Sequence, residues 1–516
     1  MEVTSIQNGI IIDHVPAGTS LKVLEYLKID PAKTKLALIM NADSKRYGSK
    51  DIIKIEDDKD IDLDVLGFVA RQATVDVVRG GKIVEKKQPN LPEHIVGVIS
   101  CEPALRDHRR ARHQADVPPR ALRAARIPLR LLRRGSQTVS ITLRNIKVWN
   151  TGEVIDLVVP GTAAAYLADT SAVAPGFEDP HVHFRDPGQT YKESMVSGCR
   201  ASASGGYTNV LIMPNTLPAL DGQTVSGPEA TGAKEVLDAG FDNVIDFLQQ
   251  YDTAHDVQLP VRYDLCVCAS KDRAGHEASD VADWLKYVPG FEDDAKTPAM
   301  LTHPITAISD DGSAVTPEIL DQVLENVKAS DLYLIEHCEH HDTGAVNEGP
   351  VSRELGVPGI PEDTELKIVA RDIEAARRTG VHVHFQHVST AISFEAIRRA
   401  KAEGLPITCE TAPHYLALSD EALLKYGTLA KMNPPLRSEA DRKATIAAIA
   451  DGTVDLLATD HAPHTLAEKE LGFLEAPNGI IGLECAYGVC HKVLVDGGFI
   501  SDERLIELMS VGPAEL

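Results

Sequence analysis

Pro175-Gly176-Phe177-Glu178-Asp179-Pro180-His181-Val182-His183-Phe184-Arg185 places two histidines one residue apart at the end of a run that reads as a strand. In a strand, residues i and i+2 point to the same side, so both imidazoles can reach one metal from a strand end. Taken alone, a His-x-His pair is more often surface or packing histidine. The residues downstream give it weight. From about residue 139 onward, strand-like runs at 209–213, 332–335, 381–385, 405–409 and 454–458 alternate with helical ones. Thr316-Pro317-Glu318 predicts a helix start, a cap followed by proline, with Ile319, Leu320, Val323, Leu324 and Val327 on one apolar face. Repeated β-then-α units predict an α/β fold with a parallel sheet, as in a (β/α)8 TIM-like barrel.

In such a barrel the site is built at the C-terminal ends of the strands. That is where polar residues collect. Ser309-Asp310-Asp311-Gly312 precedes the capped helix, and Glu336-His337-Cys338-Glu339 ends the run at 332–335. Gln386-His387-Val388-Ser389-Thr390 ends the run at 381–385, and Thr459-Asp460-His461-Ala462-Pro463-His464 ends the last one. His181, His183, His337 and His387 with Asp311 and Asp460 make a set suited to one or two zinc ions, with a carboxylate as bridge. His382 and His384, inside a strand, read as structural. His303 and His340 read as surface residues, and His461 as a support for Asp460.

The 516 residues are 43% hydrophobic and 25% charged, a globular composition long enough for two or three domains of roughly 150 residues. A formal net charge of −24 argues against nucleic acid as a general partner. No apolar run reaches the ~18–20 residues of a membrane span. Residues 1–13 lack the basic start and apolar run of a secretory signal. Eight cysteines are scattered, only Cys266 and Cys268 lying close together, and read as reduced thiols of a cytoplasmic protein.

Residues 1–100 differ in texture. Runs at 9–12, 35–40 and 72–78 read as strands, Ser20 to Leu27 as a helix with Ser20 as N-cap, and Arg79-Gly80-Gly81-Lys82 as a hairpin turn. This predicts a small α+β, ferredoxin-like domain over 1–101. Residues 102–138 form a linker with ten arginines and no lysine. It can be a solvated basic linker, a phosphate-binding arm, or the favoured alternative, a stretch read out of frame from a GC-rich gene.

The stretch His181-Val182-His183-Phe184-Arg185-Asp186-Pro187-Gly188-Gln189, with Met213-Pro214-Asn215-Thr216, Asn433-Pro434-Pro435-Leu436-Arg437 and Asp460-His461-Ala462-Pro463-His464, resembles the bacterial type I dihydroorotases of the amidohydrolase superfamily. The resemblance spans 139–516. It implies reversible ring opening of dihydroorotate to N-carbamoyl-L-aspartate in pyrimidine biosynthesis, zinc on the six residues above, and Asp460 as general base and then acid. It also implies substrate contacts from Arg185, Asn215, Asn433, His464, Asn478 and Gly479, with the Arg185 guanidinium on the substrate carboxylate. Asp311 stands where related enzymes often carry a carboxylated lysine, so none is expected. Allantoinases and hydantoinases share the metal set but generally lack an arginine two residues after the second histidine. The terminal Ser510-Val511-Gly512-Pro513-Ala514-Glu515-Leu516 resembles a stretch that continues in the family into strands of a small β domain. With the C-terminal part of that domain missing, an unpaired sheet edge is expected beside the strands near 141–158.

Gly9-Ile10-Ile11-Ile12-Asp13-His14-Val15-Pro16-Ala17, Lys50-Asp51-Ile52-Ile53-Lys54-Ile55-Glu56 and Gln72-Ala73-Thr74-Val75 are similar to the regulatory chain of aspartate carbamoyltransferase. This implies a CTP/ATP effector site at Val3, Ile6, Asp13, His14, Ile52, Lys54, Asp76, Val78, Ile83 and Lys86, with His14, Lys54 and Lys86 facing the triphosphate. It also implies the aspartate carbamoyltransferase catalytic chain as a partner. A homo-oligomer is expected as well. That family continues into a four-cysteine zinc module. Here Cys101 matches the first ligand and the other three are absent, too few for a structural zinc site; this is the reason for favouring a lost frame. Two functions compete: a zinc amidohydrolase with a nucleotide-binding domain, and a regulatory protein whose hydrolase half is inactive. The six filled ligand positions favour the first.

Overall fold

The structure is a computed structural model that describes residues 7–15, 34–44, 48–56, 73–87, 140–160, 172–225, 232–291, 302–339 and 344–516, with scattered positions between 19 and 70. The chain divides into two units, Met1–Asp116 and Val117–Leu516. The linker at 102–138, Cys101, Val3, Ile6 and His340 lie outside the described residues.

In the first unit, β1 (Gly9–Val15), β2 (Leu36–Ser44), β3 (Gly48–Ile55), β4 (Thr74–Arg79) and β5 (Lys82–Lys87) form an antiparallel sheet in the order β2-β3-β1-β4-β5. Gly80 and Gly81 both take positive φ (56° and 75°), the conformation of a type I′ hairpin turn, so the turn expected there closes β4 onto β5. Strand alternation separates two faces. Ile10, Ile12, Ile53, Ile55 and Val75 enter a core with Val23, Leu24 and Leu66. Helical hydrogen bonds run from Val23 N to Thr19 O and from Leu27 N to Val23 O. Ser20 does not cap this segment as expected: its hydroxyl donates to Asp51 Oδ2 at 2.7 Å, a buried carboxylate that outcompetes the local backbone.

In the second unit, β6 (Ser140–Val148) and β7 (Val154–Pro160) form a hairpin, and β8 (Ala172–Val173) pairs in parallel with β6. The barrel comes next: β9 (Phe177–Val182), α1 (Met195–Gly205), β10 (Tyr207–Ile212), β11 (Arg262–Cys268), β12 (Ile305–Ser309), α2 (Leu320–Ser330) and β13 (Tyr333–Glu336). After a short side ladder of β14 (Val346–Asn347) and β15 (Gly359–Ile360) come α3 (Asp363–Thr379), β16 (Val383–Phe385), α4 (Ala391–Ala402), β17 (Ile407–Thr411), α5 (Glu439–Ala450) and β18 (Leu456–Leu457). Eight parallel strands run in the order β9-β10-β11-β12-β13-β16-β17-β18. A parallel bridge between Val182 and His461, with His183 N donating to His461 O at 2.9 Å, brings the end of the sheet back to its start. The barrel is thereby nearly closed.

Leu211, Met213, Cys266, Ala307 and Ile335 form one small apolar cluster, while Val210, Ile212, Leu265, Val267, Ile308 and Leu334 belong to the large cluster that also takes in Val323, Leu324, Val369 and Phe394 from the helices. Neighbouring residues therefore serve the barrel interior and the helix layer in turn, as period-2 strands require. β11 and β12 were not among the expected strands, though they supply two of the eight. The expected helix start at Thr316 is also corrected. Thr316 Oγ1 donates to Gly275 O and Val315 N to Glu336, so the helix begins only at Leu320.

Candidate metal centre

Each of the six proposed ligands sits just past a strand end or in its last turn, which gathers side chains distant in sequence into one place. His181 Nε2 lies 3.1 Å from Asp311 Oδ2, and His183 Nε2 lies 3.2 Å from Asp311 Oδ1. Asp460 Oδ1 lies 3.1 Å from His183 Nε2 and 3.5 Å from His181 Nε2. The His337 and His387 rings approach at 4.6 Å between centroids, and those of His181 and His387 at 5.3 Å. Two buried groups offer ligand atoms within 4.8 Å of one another: His181, His183 and Asp311, and then Asp311, His337 and His387. Asp311 is common to both, as a bridging carboxylate would be.

These residues fit a cation on three grounds. Both oxygens of Asp311 and the Nδ1 atoms of His337 and His387 are buried and make no hydrogen bond. Unsatisfied buried polar atoms are rare, and their convergence points to a missing partner. Burial brings His337 down to about 4 and His387 to about 3, so both rings are neutral, the form that binds metal. Burial opposes the charge of Asp311 and Asp460, yet His183 and His181 hold Asp311, and His181 and His183 hold Asp460, well below the usual carboxylate range. Two ionised carboxylates beside the neutral imidazoles of His337 and His387 fit the donor set of a divalent metal, and in the absence of a cation the same carboxylates, against the effect of burial, push the His181 ring toward its charged form.

A supporting layer orients the ligands. His183 Nδ1 donates to Asn215 Oδ1 at 2.9 Å, which turns Nε2 toward Asp311. His181 Nδ1 donates to Glu410 Oε1 at 2.5 Å, and Glu410 Oε2 meets His384 Nε2 at 3.1 Å. His384 Nδ1 and His382 Nε2 each reach Thr408 Oγ1 at 2.8 Å. Both histidines therefore have structural partners. Asp179, raised to about 7 by burial, accepts from His181 N and Thr459 N and so joins the first and last strands. His461 stands behind Asp460, its Nε2 3.1 Å from Glu193 and its Nδ1 accepting from Gly482 N. Glu410, Asp179 and Glu193 were not foreseen. Glu410 follows the run at 405–409 directly, the same polar-residue-at-strand-end pattern that singled out His337.

The expected substrate residues are placed around this centre. Arg185 is buried, donates from Nε to Pro463 O at 3.4 Å, and feels the charges of Asp460 and Asp311. His464, brought down to about 4 by burial with Arg185 and Lys192 nearby, is neutral. Gly479 has φ +142°, and a Cβ there would stand 2.4 Å from Ala462 O and 3.0 Å from His464 Cδ2, so only glycine allows this approach. Its N–H donates to Lys431 O, and its carbonyl accepts from the buried Lys469 ammonium, which also holds Lys431 O and Pro477 O. Asn478 beside it is exposed, and Asn433 half-buried. His303, expected at the surface, is half-buried. Its ring stacks on Tyr263 at 3.5 Å, and its Nδ1 donates to Tyr263 O at 2.8 Å, so one neighbour satisfies both the apolar face and the polar edge of the imidazole.

In the first unit, Lys54, Ile11, Asp76 and Lys86 stand in register across β3, β1, β4 and β5, on the face away from the core. Lys86 Nζ pairs with Asp76 at 3.2 Å, and Lys50 Nζ with Asp13 at 2.8 Å. His14 lies at the end of β1 with φ +62°. Two of the three candidate effector cations thus share one row of the sheet.

Residues 172–516 match the amidohydrolase family, and residues 1–90 match the allosteric domain of the aspartate carbamoyltransferase regulatory chain. A dihydroorotase from Desulfotalea psychrophila is 40% identical over 348 residues, 67% of this chain and 73% of that protein. One from Acetivibrio thermocellus is 38% identical over 353 residues, 68% and 74% of the two chains. Among solved structures, the L-hydantoinase (dihydropyrimidinase) from Arthrobacter aurescens superimposes with a TM-score of 0.52 at 20% identity, over 73% of this chain and 81% of its own. Dihydropyrimidinase from Brevibacillus agri gives 0.54 at 19% identity over the same shares. At that identity the likeness is one of fold. Among the described residues no helix is long and apolar enough to cross a membrane.

Proposed function

The chain belongs to the amidohydrolase family, and on that premise we propose that it is a zinc-dependent dihydroorotase whose N-terminal domain binds a nucleotide effector. The observation that carries the substrate assignment is Arg185. It follows the His181–His183 pair by two residues, and its guanidinium is turned inward, where it feels Asp460 and Asp311. A buried guanidinium with a planar fork of donors suits a substrate carboxylate, which dihydroorotate carries and hydantoin and allantoin do not. The dihydroorotase relatives support the same reading.

His181, His183, Asp311, His337, His387 and Asp460 would hold one or two zinc ions, which supply Lewis-acid polarisation of the ring amide and activation of water. Arg185, Asn215, Asn433 and His464 orient the ring by its carboxylate and amide edge, with the loop at 478–479 against it. Asp460, ionised in the resting site, takes a proton from the attacking water and returns it to the departing ring nitrogen. His14, Lys54 and Lys86 receive the triphosphate of CTP or ATP, and the aspartate carbamoyltransferase catalytic chain is the partner proposed for the N-terminal domain. The test is turnover of dihydroorotate, hydantoin and allantoin by the metal-loaded chain. Dihydroorotate as the best substrate is the expected result; hydantoin as the best substrate refutes the assignment. Calorimetric titration with CTP tests the effector site.

A further inference from the structure

Beyond β11 the chain makes a turn at 270–275 that is held against its own preference. Asp272 and Arg273 take φ of 52° and 54°, a left-handed conformation that residues with a Cβ rarely adopt, and here two adopt it in succession. Two carboxylates from neighbouring loops secure it. Asp310 accepts from Ser270 N at 2.9 Å and from Ser270 Oγ at 2.5 Å, and Asp221 Oδ2 accepts from Asp272 N at 2.7 Å. Gly275 N closes the turn onto Ser270 Oγ at 2.9 Å. Backbone strain persists only where the surroundings over-determine it, and it collects at functional sites.

What the turn delivers is a guanidinium at the rim of the metal centre. Arg273 Nη1 donates at 3.0 Å to the backbone carbonyl of Asp311, the bridging ligand candidate. A Cβ on Gly312 would stand 2.9 Å from Arg273 Nη1 and 3.8 Å from Asn215 Nδ2, so guanidinium and amide flank the same point. Asn215 in turn holds His183. Among the described residues the Arg273 side chain makes no other hydrogen bond and no ion pair, so most of its five N–H donors remain available on a half-buried group. The Asp310 carboxylate feels this charge but makes no hydrogen bond or ion pair with it, and a half-buried guanidinium with free donors suits an anionic ligand.

We propose that Arg273 is a second carboxylate-binding residue of the site, receiving the anionic end of the substrate beside Asn215 and in addition to Arg185. The proposal rests on the dihydroorotase reading in that the substrate carries a carboxylate. Removing a charge-assisted contact of this kind weakens binding by about tenfold or more. In the full-length, metal-loaded chain, Arg273→Met raises KM for dihydroorotate at least about tenfold with kcat little changed, and Arg273→Lys restores part of the loss. The same variants leave kcat/KM for dihydrouracil, the ring without a carboxylate, unaltered. Equal losses on both rings would mean that Arg273 only braces the Asp311 loop, and would overturn the proposal, as would no loss on either. Wild-type protein idle on dihydroorotate counts against the dihydroorotase reading instead. Titration with orotate then decides the role of Arg273, because it needs no turnover: a loss of affinity in Arg273→Met supports it, and equal affinity, or no binding by the wild type, refutes it.

Discussion

His181 Nδ1 donates to Glu410 Oε1 at 2.5 Å, which places a fully buried carboxylate directly behind a candidate metal-ligand imidazole. Burial works against the charge, but the His181 and His384 rings bring the Glu410 carboxyl down to about 2, so it stays ionised at any working pH. Groups behind a metal-ligating histidine fix its tautomer and raise its basicity, and their loss typically costs about 10–100-fold in metal affinity. Glu410→Gln is expected to weaken zinc binding within that range while leaving the fold intact. Competition with a chelator of known affinity measures it; unchanged affinity would exclude the role.

Asp460 contacts both histidines of the opening pair and is ionised. Asp460→Asn keeps the shape but removes the base, and a lost general base costs roughly 10²–10⁴-fold. The variant should melt close to the wild type and lose nearly all turnover. Near wild-type kcat in a correctly metallated variant would sink the assignment.

Glu365, on α3, is fully buried and accepts four hydrogen bonds, from the backbone N–H and the hydroxyl of both Ser389 and Thr390. These two residues come just after His387, whose φ is +35°. Glu365→Ala strands four buried donors, each costing ~1–3 kcal/mol when left unpaired. A loss of about 3 kcal/mol or more in the denaturant-induced transition of the hydrolase unit is expected, with a smaller loss for Glu365→Gln. A change under about 1 kcal/mol for the alanine variant would show that the loop finds other partners.

His303 is pushed down to about 4, first by burial and also by nearby Arg262, against an ordinary value near 6.5. Its native pKa lies below the unfolded one, so its stabilising contribution is whole above pH 6.5 and is lost as the pH falls toward 4. His382, lowered to about 4 chiefly by burial, acts in the same direction. The melting temperature should therefore decline over that interval, and His303→Gln should flatten the decline. A variant with the same pH slope as the wild type would refute the linkage.

Much of the candidate site was legible in the sequence because metal chemistry restricts residue types, and a barrel confines them to strand ends. His337, His387 and Asp460 could be marked as ligands from the polar residues that end their apolar runs. β11 was not recognised, although its Tyr263, Leu265 and Val267 face the helix layer, because Asp264 and two cysteines interrupt the pattern. The helix after Asp311 starts later than its Thr-Pro-Glu signal because Thr316 commits its hydroxyl to Gly275 O, a partner no local rule could name.

By itself the sequence determined the candidate ligand set, the arginine two residues beyond the paired histidines, and the alternation of elements that implies a parallel barrel. These follow from local spacing and side-chain chemistry. Only the tertiary structure decided that Glu410 backs His181, that Asn215 holds His183, and that Arg273 leans over Asp311. Each of those pairs joins residues from different strand ends, and a chain reveals such neighbours only once the barrel has brought those ends together.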